Sequence, residues 1–220
     1  MDENLRGRTM TNLKVATVLL ICLLSSPVAM GQSNSCEIVP KGLLGEPHSE
    51  WRGFYDNKVY EYSVVIPAGL VGYDVAPPAP LHGFGIPLGE APQSYIFVSG
   101  EWNSLEDSDP VDVAVRHLRY LREGGKTIES ATITISRLGE LRAAELAVSY
   151  ACAGSNVRYM QFSTFALASD GGTLYEITLY CLAERYALDR TVLIKVLQSW
   201  KRRAKRKAGG QCSEVCLFGA

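Results

Sequence analysis

The stretch that decides the fold lies between residues 126 and 182, where apolar and polar side chains alternate with a period of two. Four segments show this alternation: TIESATITIS at 127–136, LRAAELAVSYAC at 141–152, VRYMQFSTFAL at 157–167 and TLYEITLYCL at 173–182. Turn residues rich in Gly, Ser and Asn separate the segments by a few positions each. Because such short connections force neighbouring strands to run antiparallel, the pattern predicts a four-stranded meander.

The alternation also predicts which face of this meander is buried. Two of the strands each place four apolar residues on a single face. These are Leu146, Val148, Tyr150 and Cys152 in the second strand, and Tyr175, Ile177, Leu179 and Cys181 in the fourth. The opposite faces are mixed, as is usual when one side of an antiparallel sheet covers the core.

Two helices flank the meander. The first is predicted over 110–123, with Ser108 or Asp109 as its N-cap, Pro110 in its first turn and Gly124 after its end. Its apolar side is predicted from Val111, Val115, Leu118 and Leu121. Its charged side, with Arg116, His117, Arg119 and Arg122, is interpreted as exposed to solvent.

The second helix is predicted from Asp189, as its N-cap, to Trp200. Five residues form one apolar stripe on it: Val192, Leu193, Val196, Leu197 and Trp200. Upstream, 58–66 and 94–99 have strand character, and the Pro-rich segment 67–92 is predicted as loop with a short strand at 84–88. The predicted fold is therefore α+β: an antiparallel meander sheet of five to six strands with two main helices packed on it.

This order of elements resembles the PsbP-like group of exported α/β/α sandwich proteins, which includes the DcrB-like lipoproteins. The resemblance rests on the Ile66-Pro67-Ala68-Gly69 turn after a strand, on the central helix, on the LYEITLYC strand at 174–181 and on the closing Leu197–Trp200. It covers roughly residues 59–200. The resemblance implies a non-catalytic assembly or accessory role.

The first residues are predicted to be a removable signal. Residues 15–24 (VATVLLICLL) form an apolar run with Lys14 before it, and Ala29 and Gly31 suit cleavage before Gln32. The run is shorter than the roughly 20 apolar residues of a membrane-spanning helix. We therefore expect export to the periplasm or outside the cell, with no transmembrane span after cleavage.

The remaining chain is predicted to be one domain with short appendages. Residues 1–31 are the signal peptide, 32–57 an entry segment, 58–200 the α+β domain and 201–220 a basic tail that contains cysteine. Cleavage leaves 19 Lys and Arg against 21 Asp and Glu, with the basic residues concentrated at 201–207. A mildly acidic body with a basic end is not typical of a nucleic-acid-binding domain.

Five cysteines remain after cleavage and are disulfide candidates: Cys36, Cys152, Cys181, Cys212 and Cys216. The turn lengths place Cys181 opposite Met160 and Cys152 opposite Val157, which separates these two cysteines by two strands. Because a disulfide needs Cα atoms about 4.4 to 6.8 Å apart, we expect no bond between them, and Cys36 is the more feasible partner of either.

The sequence contains no recognised catalytic, metal or cofactor motif, and we assign no catalytic, metal-binding or cofactor-binding residue and expect no cofactor. An aromatic groove is predicted near the Pro-rich loop, lined by Trp51, Tyr73, His82, Phe84 and Trp102.

Three functions stay open. The favoured one is an exported, non-catalytic binding or accessory protein for an unknown protein or envelope partner. The alternatives are a hydrolase or thiol enzyme with a dispersed site near His82, and a structural envelope protein.

Overall fold

The structure, a computed structural model, describes residues 38, 49–74, 78–79, 81–89 and 93–203. The predicted signal peptide, His48, Cys36, Cys212 and Cys216 lie outside the described residues. The regular elements in chain order are β1 (Glu50–Trp51), β2 (Phe54–Asn57), β3 (Tyr62–Val65), β4 (Gly72–Tyr73), β5 (Gly83–Leu88), β6 (Ser94–Trp102), α1 (Pro110–Glu123), β7 (Lys126–Leu138), β8 (Leu141–Cys152), β9 (Arg158–Leu167), β10 (Thr173–Leu182), α2 (Tyr186–Ser199) and β11 (Lys201–Arg202).

A large antiparallel sheet contains eight of these strands, in the order β1-β4-β5-β6-β10-β9-β8-β7. The α+β class with two helices is confirmed, whereas the predicted count of five to six strands is wrong. The additional strands β1 and β4 have two residues each. Such short strands carry no alternation, because a period of two needs about four residues to become visible.

The meander has the register that its turn lengths predict. Cys181 lies opposite Met160, and Met160 lies opposite Ser149 on the next strand. One β-bulge interrupts the ladder between β7 and β8, at Ile128 and Ser130. The sheet therefore places every side chain of β8, β9 and β10 on a defined face.

The strand predicted over 58–66 forms, but outside the large sheet. Its observed part, β3, belongs to a three-stranded sheet in the order β11-β3-β2. Strand β2 comes from the predicted entry segment, and β11 consists of Lys201 and Arg202, the first residues of the predicted tail.

Helix α1 has the predicted bounds and caps. The Asp109 carboxylate accepts a hydrogen bond from the Val111 backbone N–H at 2.9 Å, and Pro110 occupies the first turn. Of the predicted apolar side, Leu121 is buried and Val111 and Leu118 pack against the sheet cluster, whereas Val115 is 44 % exposed. Val113 and Ala114, which lie outside the predicted side, are buried as well. The face that packs on the sheet is thus rotated from the predicted one, and it brings Arg116 and His117 toward the strands.

Helix α2 begins three residues earlier than predicted. Asp189 is a buried residue of its first turn, not its N-cap. The Asp189 carboxylate accepts hydrogen bonds from Arg185 Nε at 3.0 Å and Arg185 Nη2 at 2.9 Å, and a third from Ser94 Oγ. The predicted apolar stripe is confirmed: Leu193, Val196 and Trp200 are buried, and Val192 and Leu197 pack beside them.

The elements form layers on either side of the large sheet. One apolar cluster joins α2, the three-stranded sheet and one face of β5, β6, β9 and β10. A second cluster joins α1 to the opposite face of β8, β9 and β10. The two helices therefore cover opposite faces, which we call the α1 face and the α2 face.

Candidate functional site

The loop before α1 is folded back on itself and fixes an ion pair. Asn103 Nδ2 donates to the Asp107 carbonyl at 2.8 Å, and the Asp107 N–H donates to Asn103 Oδ1 at 3.1 Å. Both terminal nitrogens of Arg116 donate to the Asp107 carboxylate, with 2.6 Å between Nη2 and Oδ2. The loop thus holds the Arg116 side chain against the N-terminal half of α1.

A cavity of about 170 Å³ lies beneath this loop, between α1 and the sheet. Its walls come from β6, the loop, α1, β9 and β10, and they combine acidic, basic and apolar side chains: Glu101, Leu105, Val113, Arg116, His117, Tyr120, Phe165, Leu174 and Glu176. Leu105 is 60 % and Tyr120 55 % exposed, so apolar surface is accessible to solvent at this site.

Glu176 is the most perturbed acid of the cavity. It lies opposite Ser99, and Glu101 lies opposite Leu174, so the two glutamates are diagonal neighbours on the α1 face. Burial raises the pKa of Glu176 to about 7, and the nearby Glu101 carboxylate adds to the increase. Near neutral pH, Glu176 therefore exchanges between a charged and a neutral form.

A chain of buried polar side chains leads from Glu176 to His117. Thr178 Oγ1 donates to Glu176 Oε1 at 2.8 Å, and Gln161 Nε2 donates to Ser163 Oγ at 3.0 Å. Ser163 Oγ and Thr178 Oγ1 are 2.7 Å apart. Since Thr178 has a single hydroxyl proton and gives it to Glu176, Ser163 supplies the proton between the two hydroxyls.

His117 ends this chain in its neutral form. Its Nε2 lies 2.6 Å from Gln161 Nε2, which donates to it. Burial lowers the pKa of His117 to about 4, and the charges of Lys126 and Arg116 act in the same direction. The prediction that His117 is a solvent-exposed residue of the helix is therefore wrong, because α1 is rotated so that the ring meets Phe165, 5.3 Å away between centroids.

The chain leaves one buried polar atom without a partner. Gln161 has no exposed surface, and its Oε1 has no hydrogen-bond partner among the described residues. An unpartnered buried polar atom costs about 1 to 3 kcal/mol. The polar network on the α1 face therefore contains an atom whose burial lowers the stability of the folded protein.

The structure places the five predicted groove residues in three locations. His82 and Trp102 flank Tyr60, with ring centroids 5.0 and 5.8 Å from it. Trp51 contacts Tyr55, whose ring packs on the fully buried Phe84 at 4.5 Å. Tyr73 packs near Tyr95 and Phe97 on the α1 face.

The first of these locations is an aromatic corner, in which the exposed Trp102 and the half-buried His82 pack on the buried Tyr60. Tyr60 Oη and His82 Nε2 are 3.2 Å apart. Trp102 is 65 % exposed, and Leu81, beside His82, is 74 % exposed with a positive φ of 70°. Exposed apolar side chains that lie close together mark contact surfaces more often than isolated ones do.

The two cysteines within the described residues differ in environment. Cys181 is a free, buried thiol on the α2 face, and burial raises its pKa to about 12. Cys152 lies on the α1 face and is disulfide-bonded. The predicted absence of a bond between Cys152 and Cys181 agrees with the free thiol of Cys181, and the partner of Cys152 lies outside the described residues.

Sequence reasoning missed Glu101, Glu176 and the network around them. A signal was present, because Glu176 and Thr178 alternate with the apolar residues of β10, and Gln161 and Ser163 do the same on β9. Polar side chains at matching positions of two adjacent central strands indicate a polar patch under whatever element covers that face.

Among the described residues, no group of three or more His, Cys, Asp or Glu residues is arranged for a metal ion. The helices described are also too short or too polar to cross a membrane.

Comparison by sequence identifies no relative: no protein-family model matches the chain, and no curated protein matches it significantly. Comparison by structure does. The solution structure of the cyanobacterial PsbP protein from Synechocystis sp. PCC 6803 superposes with a TM-score of 0.51 at 14 % identity, over 75 % of this chain and 98 % of that one. The chain therefore has a PsbP-like fold.

Two further solved structures are similar at lower scores. LpqN of Mycobacterium tuberculosis, described as involved in cell envelope biogenesis, has a TM-score of 0.40 at 12 % identity, over 73 % of this chain and 88 % of LpqN. The Ran-binding protein Mog1p of Saccharomyces cerevisiae has a TM-score of 0.47 at 12 % identity, over 72 % of this chain and 96 % of Mog1p.

Proposed function

We propose that this chain is an exported, non-catalytic binding or accessory protein that holds one basic group of a ligand or partner in the cavity between α1 and β10. The observation that carries the proposal is the cavity itself, in which two glutamates meet apolar and aromatic walls. A concave site with a few convergent polar groups is the usual form of a small binding site.

The charge of the cavity favours a cation. Arg116 is already neutralised by Asp107, which binds both of its terminal nitrogens. Glu101 and the ionised form of Glu176 are then the charges left for a ligand. His117 adds none near neutral pH, because its pKa is about 4.

The size of the cavity favours a side chain or a small amine. A volume of 170 Å³ holds about five or six waters at roughly 30 Å³ each. This is enough for an alkylammonium or guanidinium group and too little for an organic cofactor. Tyr120, at the exposed side of the cavity, offers its ring to the alkyl chain or to the cation.

A binding role is also supported by the environments of His82 and Cys181. A hydrolase or thiol enzyme would need these side chains to be reactive. The Nε2 of His82 is 3.2 Å from a tyrosine hydroxyl, and Cys181 is buried with its pKa raised to about 12. A catalytic cysteine needs an accessible thiolate, which a raised pKa disfavours.

Export is proposed on the apolar run at residues 15–24 and the small residues before Gln32. N-terminal sequencing of protein recovered from the envelope or medium should begin at or near Gln32. Recovery of the uncleaved chain from the cytosol would contradict export without affecting the cavity.

The cavity is tested with n-butylammonium as the probe and NMR chemical-shift changes as the readout. We expect binding about tenfold tighter at pH 8 than at pH 6, because Glu176 with a pKa near 7 is mostly ionised at the higher pH. E176Q should remove this pH dependence. The exposed E123Q, on the same helix as His117, is the matched control and should retain it.

Uncharged 1-butanol separates charge recognition from simple filling of the cavity. Equal binding of butanol and butylammonium, or equal weakening by E176Q and E123Q, would show that the carboxylate does not select the ligand.

The aromatic corner is proposed as a second contact for a protein or envelope partner. A photo-crosslinking residue in place of Trp102 should capture a specific protein from the envelope fraction, whereas one in place of the exposed Arg119 should not. Identical capture patterns at both positions would remove the corner from the proposal.

A further inference from the structure

We propose that strand β7 pairs with β7 of a second copy of this chain, which joins two eight-stranded sheets edge to edge. Among the strands of the described residues, β7 is the last in the sheet order, and it pairs with β8 on one side. It is 13 residues long, and most of its side chains are exposed. An edge strand leaves alternate backbone N–H and C=O groups directed outward, where another strand can bind them.

The central part of β7 lacks the features that usually protect an edge. Residues 130–136 read SATITIS, with no charge, proline or glycine. The bulge lies before this segment, at Ile128 and Ser130. Uncharged segments of six or seven residues with β-branched side chains pair readily with other strands. Ile135, which lies in this segment, is 67 % exposed.

The opposite edge of the sheet differs. Strand β1 has two residues, Glu50 and Trp51, and Arg52 forms an ion pair with Glu50 at 3.2 Å. A charged strand of this length offers little backbone for pairing. The symmetric partner of β7 is therefore β7 itself.

Symmetry fixes the possible registers. A two-fold axis that makes two β7 strands antiparallel is perpendicular to the sheet, so each residue lies opposite one on the same face. With the axis at Ile133, Ile133 lies opposite its own copy, and Thr132 lies opposite Thr134. Outside these, Ala131 meets Ile135 and Ser130 meets Ser136.

In this register, uncharged side chains of the same kind lie opposite each other, and the acidic end of each strand lies beside the basic end of the other. Thr–Thr, Ser–Ser and aliphatic pairs are favourable across antiparallel strands, by about 0.2 to 1 kcal/mol each. At the ends, Glu129 of one strand lies beside Arg137 of the other. Within its own chain, Glu129 already forms an ion pair with Arg158 at 3.0 Å, and Arg137 donates to the Glu140 carbonyl at 2.6 Å, so the two ends add no uncompensated like charge. Repulsion between like charges does not oppose the pairing.

Sedimentation velocity over a range of protein concentrations tests the proposal. A single strand pair buries less than a standard interface, so we expect a weak dimer that dissociates on dilution. The variant T132K/T134K places Lys opposite Lys across the axis and should weaken the dimer at least tenfold. Both threonines are exposed, so the monomer should fold unchanged.

The matched variant T132E/T134K differs from the first at one position and tests the register. It places Glu opposite Lys at both symmetric pairs and should restore the affinity of the unaltered chain to within about threefold. Within one chain Thr134 lies opposite Glu145, so the shared T134K suits the monomer in both variants.

Three outcomes would overturn the proposal. These are a chain that stays monomeric at about 1 mM, a T132K/T134K variant that dimerises as strongly as the unaltered chain, and a T132E/T134K variant that behaves like T132K/T134K.

Discussion

The two faces of the large sheet are each covered by a 14-residue helix, yet they are packed with different chemistry. The α2 face is an apolar core around Trp200, Tyr62 and Tyr175. The α1 face contains an apolar cluster at one end and, beside it, the polar chain from Glu176 to His117. The comparison separates a face that stabilises the fold from a face that holds a cavity.

Buried polar atoms without a partner among the described residues occur on both faces. On the α2 face, the Asp189 carboxylate accepts three hydrogen bonds, whereas Trp200 Nε1 has no partner. On the α1 face, Gln161 Oε1 has no partner either. What distinguishes the α1 face is that two titrating groups with strongly shifted pKa values, His117 and Glu176, line its cavity, an arrangement that is typical of functional sites.

The largest expected effect is on the α2 face. Trp200 is 1 % exposed and contacts the rings of Tyr175 and Tyr62, with centroids 5.0 and 6.5 Å away. W200A should lower the free energy of unfolding by about 3 to 5 kcal/mol in urea denaturation. W102A, at a 65 % exposed position, is the control and should change it by less than about 1 kcal/mol. Similar losses in both variants would contradict the assignment of the core.

The next effect concerns the α1 face and the bond of Cys152. Ile38 packs beside Tyr95 and Phe97 on this face, two residues after Cys36 in sequence. We therefore expect a Cys36–Cys152 disulfide, and its removal by C36S should cost about 2 to 4 kcal/mol. Peptide mapping without reduction identifies the bond, and C212S is the matched control. A peptide that links Cys152 to Cys212 or Cys216 would contradict the pairing.

The smallest expected effect concerns the two titrating groups of the cavity, Glu176 and His117. Their contributions to the free energy of unfolding depend on pH in opposite directions. Glu176, with its pKa raised to about 7 from an ordinary value near 4.5, binds more protons in the folded state, so its contribution to stability falls as pH rises from 4.5 to 7. His117, with its pKa lowered to about 4 from 6.5, binds fewer, so its contribution is lost as pH falls from 6.5 to 4.

Each of these contributions amounts to at most about 3 kcal/mol, and in the unaltered chain they offset one another between pH 4.5 and 6.5. In E176Q the free energy of unfolding should therefore rise with pH over 4 to 6.5, and in H117Q it should fall over 4.5 to 7. The charge of Glu101 affects the pKa of Glu176, and the charges of Arg116 and Lys126 affect the pKa of His117. The titration model that is fitted to each pH profile therefore includes these three charges. Parallel pH profiles in the two variants would refute the burial of both groups.

Sequence reasoning succeeded where local rules determine the outcome. The register of Cys181 against Met160 follows from turn length, and the bounds of α1 follow from Asp109, Pro110 and Gly124. These features need no information from distant parts of the chain.

It failed where tertiary packing decides. The apolar positions of α1 were compatible with more than one rotation of the helix, and contact with the sheet selected the one that buries Val113 and Ala114 and brings His117 inward. The position of Glu101 beside Glu176 depends on pairing between β6 and β10, which are separated by a helix and three strands in sequence.

The pairing of β11 with β3 has a consequence for the order of synthesis. It joins Lys201 to Ser63, and the adjacent Trp200 completes the apolar cluster that β3 begins. A chain that emerges from its N-terminus, whether from a ribosome or through a membrane pore, cannot close this core until almost the last described residue is available. Contacts between residues so far apart in sequence also slow folding once the chain is complete. The α2 side of the sheet therefore remains uncovered until elongation is almost complete, whereas the buried apolar cluster of the α1 face is already complete at Leu174.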